Sequence, residues 1–277
     1  MRPGIRKHTG WRIVAAVATG LVAAGCGSSN SSSSSHSSTS TASGSAAAAS
    51  TGSAATSHAT ARPTVLAAAS LTNVLPQIDP TAKYTFGGSG ALETDIEQGA
   101  PADVFAAASP KQPAQLFAKA LVDRPVEFAT NMLVLIVPRS NPAHITSVDD
   151  VTKPGVKLVI CNATVPCGDY ARTAFENLGI TAAAMKNVVS QTTDVTQTAA
   201  EVALGQADAG FVYITDAKAA AGKVTVIRLP AKAKPGARDY IAIVKSGTHQ
   251  AAASAFVASV LSAAGQAKLR AAGFGKP

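Results

Sequence analysis

Four points along the chain put small or polar residues where a strand-like apolar run gives way to a helix-like one. They are Ala69-Ser70-Leu71-Thr72-Asn73, Gly87-Gly88-Ser89-Gly90, Val165-Pro166-Cys167-Gly168 and Thr192-Thr193-Asp194-Val195. A helix N-terminus presents unpaired N–H groups and a partial positive charge. Several of them converging on one cleft hold an anion without a charged side chain. Tyr213 ends the run Gly210-Phe211-Val212-Tyr213, and a phenol at a strand end donates a hydrogen bond into a cleft. Read singly, each residue has a plainer role. Ser70 and Ser89 are simplest as helix N-caps, as is Asp194, Tyr213 as a half-buried strand residue, and Asp103 and Asp208 as structural acids. Gly88 and Gly90 allow close backbone approach around Ser89.

Other chemistries find less support. The segment Gly88-Ser89-Gly90-Ala91 misses the nucleophile-elbow pattern. The only histidines after the Ser-rich stretch, His144 and His249, have no convincing partner motif. Of three cysteines, Cys161 and Cys167 remain as a pair once Cys26 is set aside. In an oxidising compartment such a pair favours a disulfide, and the absence of neighbouring His or further Cys ligands weakens a metal reading. No cofactor is expected. The net charge of +8 overstates the folded part, because four of the 24 Lys/Arg (Arg2, Arg6, Lys7, Arg12) precede Cys26, leaving 20 against 16 acids. The longest basic cluster is Lys232-Ala233-Lys234. Nucleic-acid binding, which needs a clustered basic face, is not expected.

The elements that must position these residues alternate. Strands are expected at Thr64–Ala69, Tyr84–Phe86, Ala102–Ala107, Met132–Val137, Leu158–Ile160, Ala209–Tyr213, Lys223–Arg228 and Tyr240–Val244. Helices are expected at Leu71–Ile78, Ala91–Gln98, Gln112–Ala120, Tyr170–Leu178, Val195–Leu204, Ala251–Leu261 and Gly265–Ala272. Repeated β-α units imply an α/β fold with largely parallel, helix-covered sheets, with ligands at the carboxyl ends of the strands.

Ahead of this domain, a basic opening precedes the apolar run Ile13–Ala24, which ends in Leu21-Val22-Ala23-Ala24-Gly25-Cys26. The run is shorter than the roughly 20 residues of a spanning helix and has the layout of a secretory signal. Cys26 after small residues resembles the lipobox of bacterial lipoproteins. That resemblance implies cleavage after residue 25, acylation of Cys26, and a protein held outside the cytoplasm on the outer face of the cell membrane. The Ser/Ala/Thr-rich stretch that follows, to residue 61, reads as a flexible tether.

From Thr64 to Phe274 the same junctions resemble, in order, the molybdate-binding proteins of bacterial ABC transporters. The resemblance rests on Leu66-Ala67-Ala68-Ala69-Ser70-Leu71-Thr72; Phe86-Gly87-Gly88-Ser89-Gly90-Ala91-Leu92, running into Ile96 to Phe105; Asn131 to Pro138; Val165-Pro166-Cys167-Gly168-Asp169-Tyr170-Ala171; and Ala207 to Ala217. It implies a two-lobed type II periplasmic-binding-protein-like α/β fold: two mostly parallel sheets flanked by helices, with the ligand cleft between the lobes. Residues 62–130 and 245–277 would form one lobe and 131–244 the other. It further implies donors from the Ser70 and Ser89 hydroxyls, the Cys167 and Val195 backbone N–H groups and the Tyr213 hydroxyl. Cys167 departs from the family's usual Ala, which matters little if the donor is the backbone. The function implied is capture, without chemistry, of molybdate or tungstate by a monomer that delivers it to an ABC permease. A sulfate- or phosphate-binding protein of the same fold, with Asp169 or Asp194 as acceptor for a protonated phosphate, and a ligand-sensing lipoprotein are the alternatives.

Overall fold

A computed structural model describes residues 61–277; the expected signal, the expected lipidation at Cys26 and the stretch expected as a tether, up to residue 60, lie outside the described residues. The chain runs β1 (Thr64–Ala68), a 3-10 turn Ala69–Leu71, α1 (Leu75–Ile78), β2 (Lys83–Gly87), α2 (Ser89–Glu97), β3 (Val104–Ala107), α3 (Lys111–Ala118) and β4 (Val126–Pro138). It continues through β5 (Leu158–Cys161), α4 (Pro166–Leu178), α5 (Thr181–Lys186), β6 (Val188–Thr192), α6 (Val195–Ala203), β7 (Ala209–Tyr213), α7 (Ile214–Ala219), β8 (Val224–Arg228), β9 (Gly236–Ile243), α8 (Gln250–Leu261) and α9 (Ala263–Ala272). No described helix is long and apolar enough to cross a membrane.

The strands follow the order β2-β1-β3-β9-β4-β7-β5-β6, with β8 also on β4. β1 pairs in parallel with β2 and β3, and β5 in parallel with β6 and β7. β9 and β4 run antiparallel to their neighbours, so each lobe carries a mixed sheet with a parallel half. The junction is β4 itself. Its residues 126–132 pair with β9, and from Leu133 onward it pairs with β7 and β8. The return crossover meets it there, where Leu133 N–H donates to the Pro235 carbonyl at 2.7 Å.

Some expectations shift. The strand expected at Met132–Val137 is only the second half of β4. That half is buried on both faces from Leu133 to Pro138, whereas Val126, Glu127 and Thr130 in the first half stay partly or fully exposed. A continuous apolar run announces the first kind of strand and hides the second. The pairing of β9 bears on the return crossover. β9 pairs with β3 and with the first half of β4, so Gly236–Ile243 stand on the first lobe's sheet rather than with residues 131–235. The helix expected over Leu71–Ile78 is a 3-10 turn followed by one α-turn carrying Pro76. α5, β6 and α7 lie outside the expected elements; they are only five or six residues long.

The cores are filled by the apolar faces of these elements. Phe128, Leu133, Leu135, Phe175, Phe211 and Phe256 lie in one cluster, and Leu66, Leu92, Phe105, Leu116 and Val122 in a second. Each such side chain contributes about 1.5–3 kcal/mol on burial. This packing holds the strand ends rigidly enough to aim small groups into the cleft.

Candidate functional site

The ends of β1 and β2 in the first lobe face the starts of α4 and α6 and the end of β7 in the second. Between them is a small cavity of about 10 Å³, far below the several hundred Å³ of pockets that hold larger organic ligands. Ser70, Ser89, Cys167, Val195 and Tyr213 all line it, together with Gly88, Ala108 and other small or apolar residues. No charged side chain lines it among the described residues.

Each candidate donor has a distinct local origin. Ser70 lies in the 3-10 turn after β1, and its hydroxyl caps no helix: Oγ is buried without a hydrogen-bond partner. Ser89 is likewise no N-cap. Gly88 occupies that position, and Ser89 Oγ accepts the Ala108 N–H at 3.2 Å. That contact uses a lone pair, leaving the hydroxyl proton for another acceptor. Cys167 and Val195 open α4 and α6, where the backbone N–H groups have no intrahelical acceptor. Asp194 is the cap of α6, accepting Gln197 N–H at 3.0 Å.

Tyr213 is buried rather than half-buried, and its hydroxyl also lacks a partner. Pairing with Leu133 places it at the crossover between lobes. Its N–H donates to Asp216 Oδ2 at 3.1 Å. Burial pushes the phenol's pKa well up, and neighbouring Tyr170, Asp239 and Asp216 push it further, so it stays a donor at working pH. An unsatisfied buried hydroxyl costs about 1–3 kcal/mol. Two of them line one cavity without charged side chains, beside the N-termini of α2, α4 and α6, an arrangement whose chemistry suits an anion.

Cys161 and Cys167 are joined by a disulfide, with Cα atoms 5.7 Å apart. No cluster of three metal-ligating side chains occurs among the described residues. Asp169 and Asp194 do not line the cavity. Asp103 accepts the His249 N–H at 2.9 Å and meets its Nδ1 at 3.1 Å. The hydroxyl near this imidazole, Thr248 Oγ1, sits on the same Nδ1, so a nucleophile–base–acid relay is not formed.

Sequence reasoning passed over three second-line residues. Asp216 holds the Tyr213 backbone, and burial raises its pKa to about 7. Asp239 on β9 is fully buried with both carboxyl oxygens unpartnered, and burial, then Asp216 and Glu127, drive its pKa well up. Arg172 donates to Cys161 O, Gly168 O and Gln191 Oε1. Asp216 acts locally, as the N3 acid of a capping box on α7; Arg172 reaches Cys161 and Gln191, 11 and 19 residues away, and the burial of Asp239 follows from packing rather than from a local motif.

The family model for bacterial extracellular solute-binding proteins matches residues 64–275. Molybdate-binding protein ModA of Mycobacterium tuberculosis H37Rv is 41% identical over 224 residues, 77% of this chain and 84% of that protein. A solved substrate-binding domain assigned to a molybdenum ABC transporter of Clostridium difficile is 30% identical, with a TM-score of 0.57, over 78% of this chain and 99% of that one. The periplasmic molybdate-binding protein of Azotobacter vinelandii superposes with a TM-score of 0.70 at 23% identity, over 78% of this chain and all of that one; at that identity the likeness speaks for the fold.

Proposed function

The chain belongs to the family of bacterial extracellular solute-binding proteins, and from that premise we propose that it captures molybdate, or tungstate, outside the cytoplasm and delivers it to an ABC permease. The observation that carries this reading is the pair of buried, unpartnered hydroxyls of Ser70 and Tyr213 on one cavity without charged lining. Molybdate is a compact tetrahedral dianion, fully deprotonated near neutral pH, so it accepts from every direction. Ser70, Ser89 and Tyr213 donate through hydroxyls, and Cys167 and Val195 through backbone N–H groups. Because Ser70 and Ser89 come from one lobe and the other three from the second, bound anion favours the closed arrangement over an open one by its contacts to both sides.

Monohydrogen phosphate carries a proton that needs an acceptor. Asp169 and Asp194 stand off the cavity, which weighs against phosphate. Sulfate is excluded only by size. The protein performs no reaction on its ligand, and acts as a monomer anchored through acylated Cys26. Replacement of Cys26 by Ser should release the chain from the membrane fraction; retention there would refute the anchor.

Calorimetric titration of residues 27–277 with molybdate, tungstate, sulfate and phosphate tests the ligand. Tight one-to-one binding of molybdate and tungstate alone is expected. Preferential sulfate or phosphate binding would overturn the substrate and leave the trap.

A further inference from the structure

The cavity is lined by neutral residues, yet a cation is hydrogen-bonded to the segments that carry two of them. Arg172 lies on α4, one turn after Cys167 and Gly168. Its Nη1 donates to the Gly168 carbonyl at 3.0 Å and to the Cys161 carbonyl at 3.1 Å, and its Nη2 to Gln191 Oε1 at 2.7 Å. These acceptors belong to three segments: the first turn of α4, the end of β5 and β6. Gly168 follows Cys167, which lines the cavity, and Cys161 is the disulfide partner of Cys167. Gln191 lies on the strand that leads through Thr192 and Asp194 into Val195. One planar fork thus ties together the two loops that present backbone donors, a geometry that a guanidinium supplies and an ammonium does not.

The same guanidinium forms no ion pair among the described residues. Asp169, the acid closest in its electrostatic influence, is exposed and acts on it only through space. Burial pulls the guanidinium pKa down from its ordinary value, which marks a charge partly withdrawn from water, but a guanidinium remains protonated throughout the working range. A partly desolvated charge held against neutral acceptors projects its field further than a solvated, paired one.

We propose that Arg172 is a positioning and charge-selecting residue: it aligns the Cys167 and Val195 N–H groups and supplies the positive field that makes the site prefer a doubly charged oxyanion to a singly charged one of similar size. This rests on the oxyanion reading above. It accounts for how a cavity lined by neutral groups discriminates charge as well as shape.

The test compares wild type, Arg172→Lys and Arg172→Gln as full mature chains. Molybdate Kd is measured over a range of ionic strength, and perrhenate, a tetrahedral monoanion, is measured in competition with molybdate. Arg172→Gln should weaken molybdate about tenfold or more, flatten the salt dependence of its Kd and lower the molybdate-to-perrhenate preference. Arg172→Lys should weaken binding through loss of the fork while keeping the salt slope. If Arg172→Gln leaves the salt slope at the wild-type value, its role is only structural and the proposal is overturned; unchanged molybdate affinity overturns it equally. Failure of wild type to bind molybdate would instead refute the substrate reading. Circular dichroism and thermal melting of each variant check that the fold is kept.

Discussion

Replacing Gly88 by Ala should cripple ligand capture while leaving the ligand-free protein intact. A Cβ at Gly88 would lie 2.4 Å from the Thr193 carbonyl oxygen and 3.0 Å from Val165 Cγ2. Both belong to the second lobe, whereas Gly88 belongs to the first. The Gly88 backbone sits at φ −68°, ψ 131°, ordinary for alanine, so there is no local strain. The clash exists only when the lobes are shut. Ordinary contact begins near 3.4 Å, so relief needs the lobes about 1 Å further apart at this point. A hydrogen bond stretched by that much is broken. Each bond from the protein to a charged ligand is worth about 1.5–3 kcal/mol, so losing one or two across the cleft should weaken binding roughly 100-fold, at 1.4 kcal/mol per decade. Gly90→Ala should act alike, since its Cβ would lie 2.3 Å from the Thr164 carbonyl oxygen. Titration calorimetry gives Kd, and thermal unfolding without ligand gives stability. The ligand-free melting temperature should hold or rise slightly, because Gly→Ala at a compatible conformation restricts the unfolded chain. Wild-type affinity in Gly88→Ala, or a large loss of ligand-free stability, would refute closure by this backbone contact.

Tyr213→Phe removes a buried hydroxyl that has no protein partner. It should leave ligand-free stability unchanged or raised and weaken binding about 10- to 100-fold; a marked fall in the melting temperature would contradict the unpartnered state. Converting Cys161 and Cys167 together to Ala should lower stability by about 2 kcal/mol in denaturant titration yet leave binding measurable, because the Cys167 donor is its N–H. Asp216, with an ordinary pKa of 3.8 raised to about 7 in the folded protein, holds its proton more tightly when folded. Its contribution is therefore most favourable below pH 3.8 and declines between pH 4 and 7, by roughly 4 kcal/mol at 1.36 kcal/mol per unit. Asp216→Asn should flatten that part of the stability–pH profile, and an unchanged profile would show that Asp216 is ionised throughout.

Alternation of apolar runs with amphipathic stretches was enough to place most strands and helices, because each run's burial is written in its own side chains. Small residues at the strand ends marked where N–H groups would face a ligand, since only such residues leave room there. The sequence therefore determined which elements form and which junctions are chemically open. It did not separate a capping serine from a ligand-facing one. That difference depends on whether an acceptor lies across the turn, and for Ser89 the partner is the Ala108 N–H on another loop. Nor did it show that β4 serves both sheets or that β9 returns to the first, because a register shift between Glu127 and Ala129 breaks the alternation a half-exposed strand would show, and the buried Asp239 breaks it in β9. The approach of Gly88 to Thr193, the burial of Asp216 and Asp239, and the reach of Arg172 to Cys161 and Gln191 were decided by tertiary structure alone. Each depends on segments remote in the chain meeting at a few ångströms, a distance set by the packing of whole lobes rather than by any neighbouring residue.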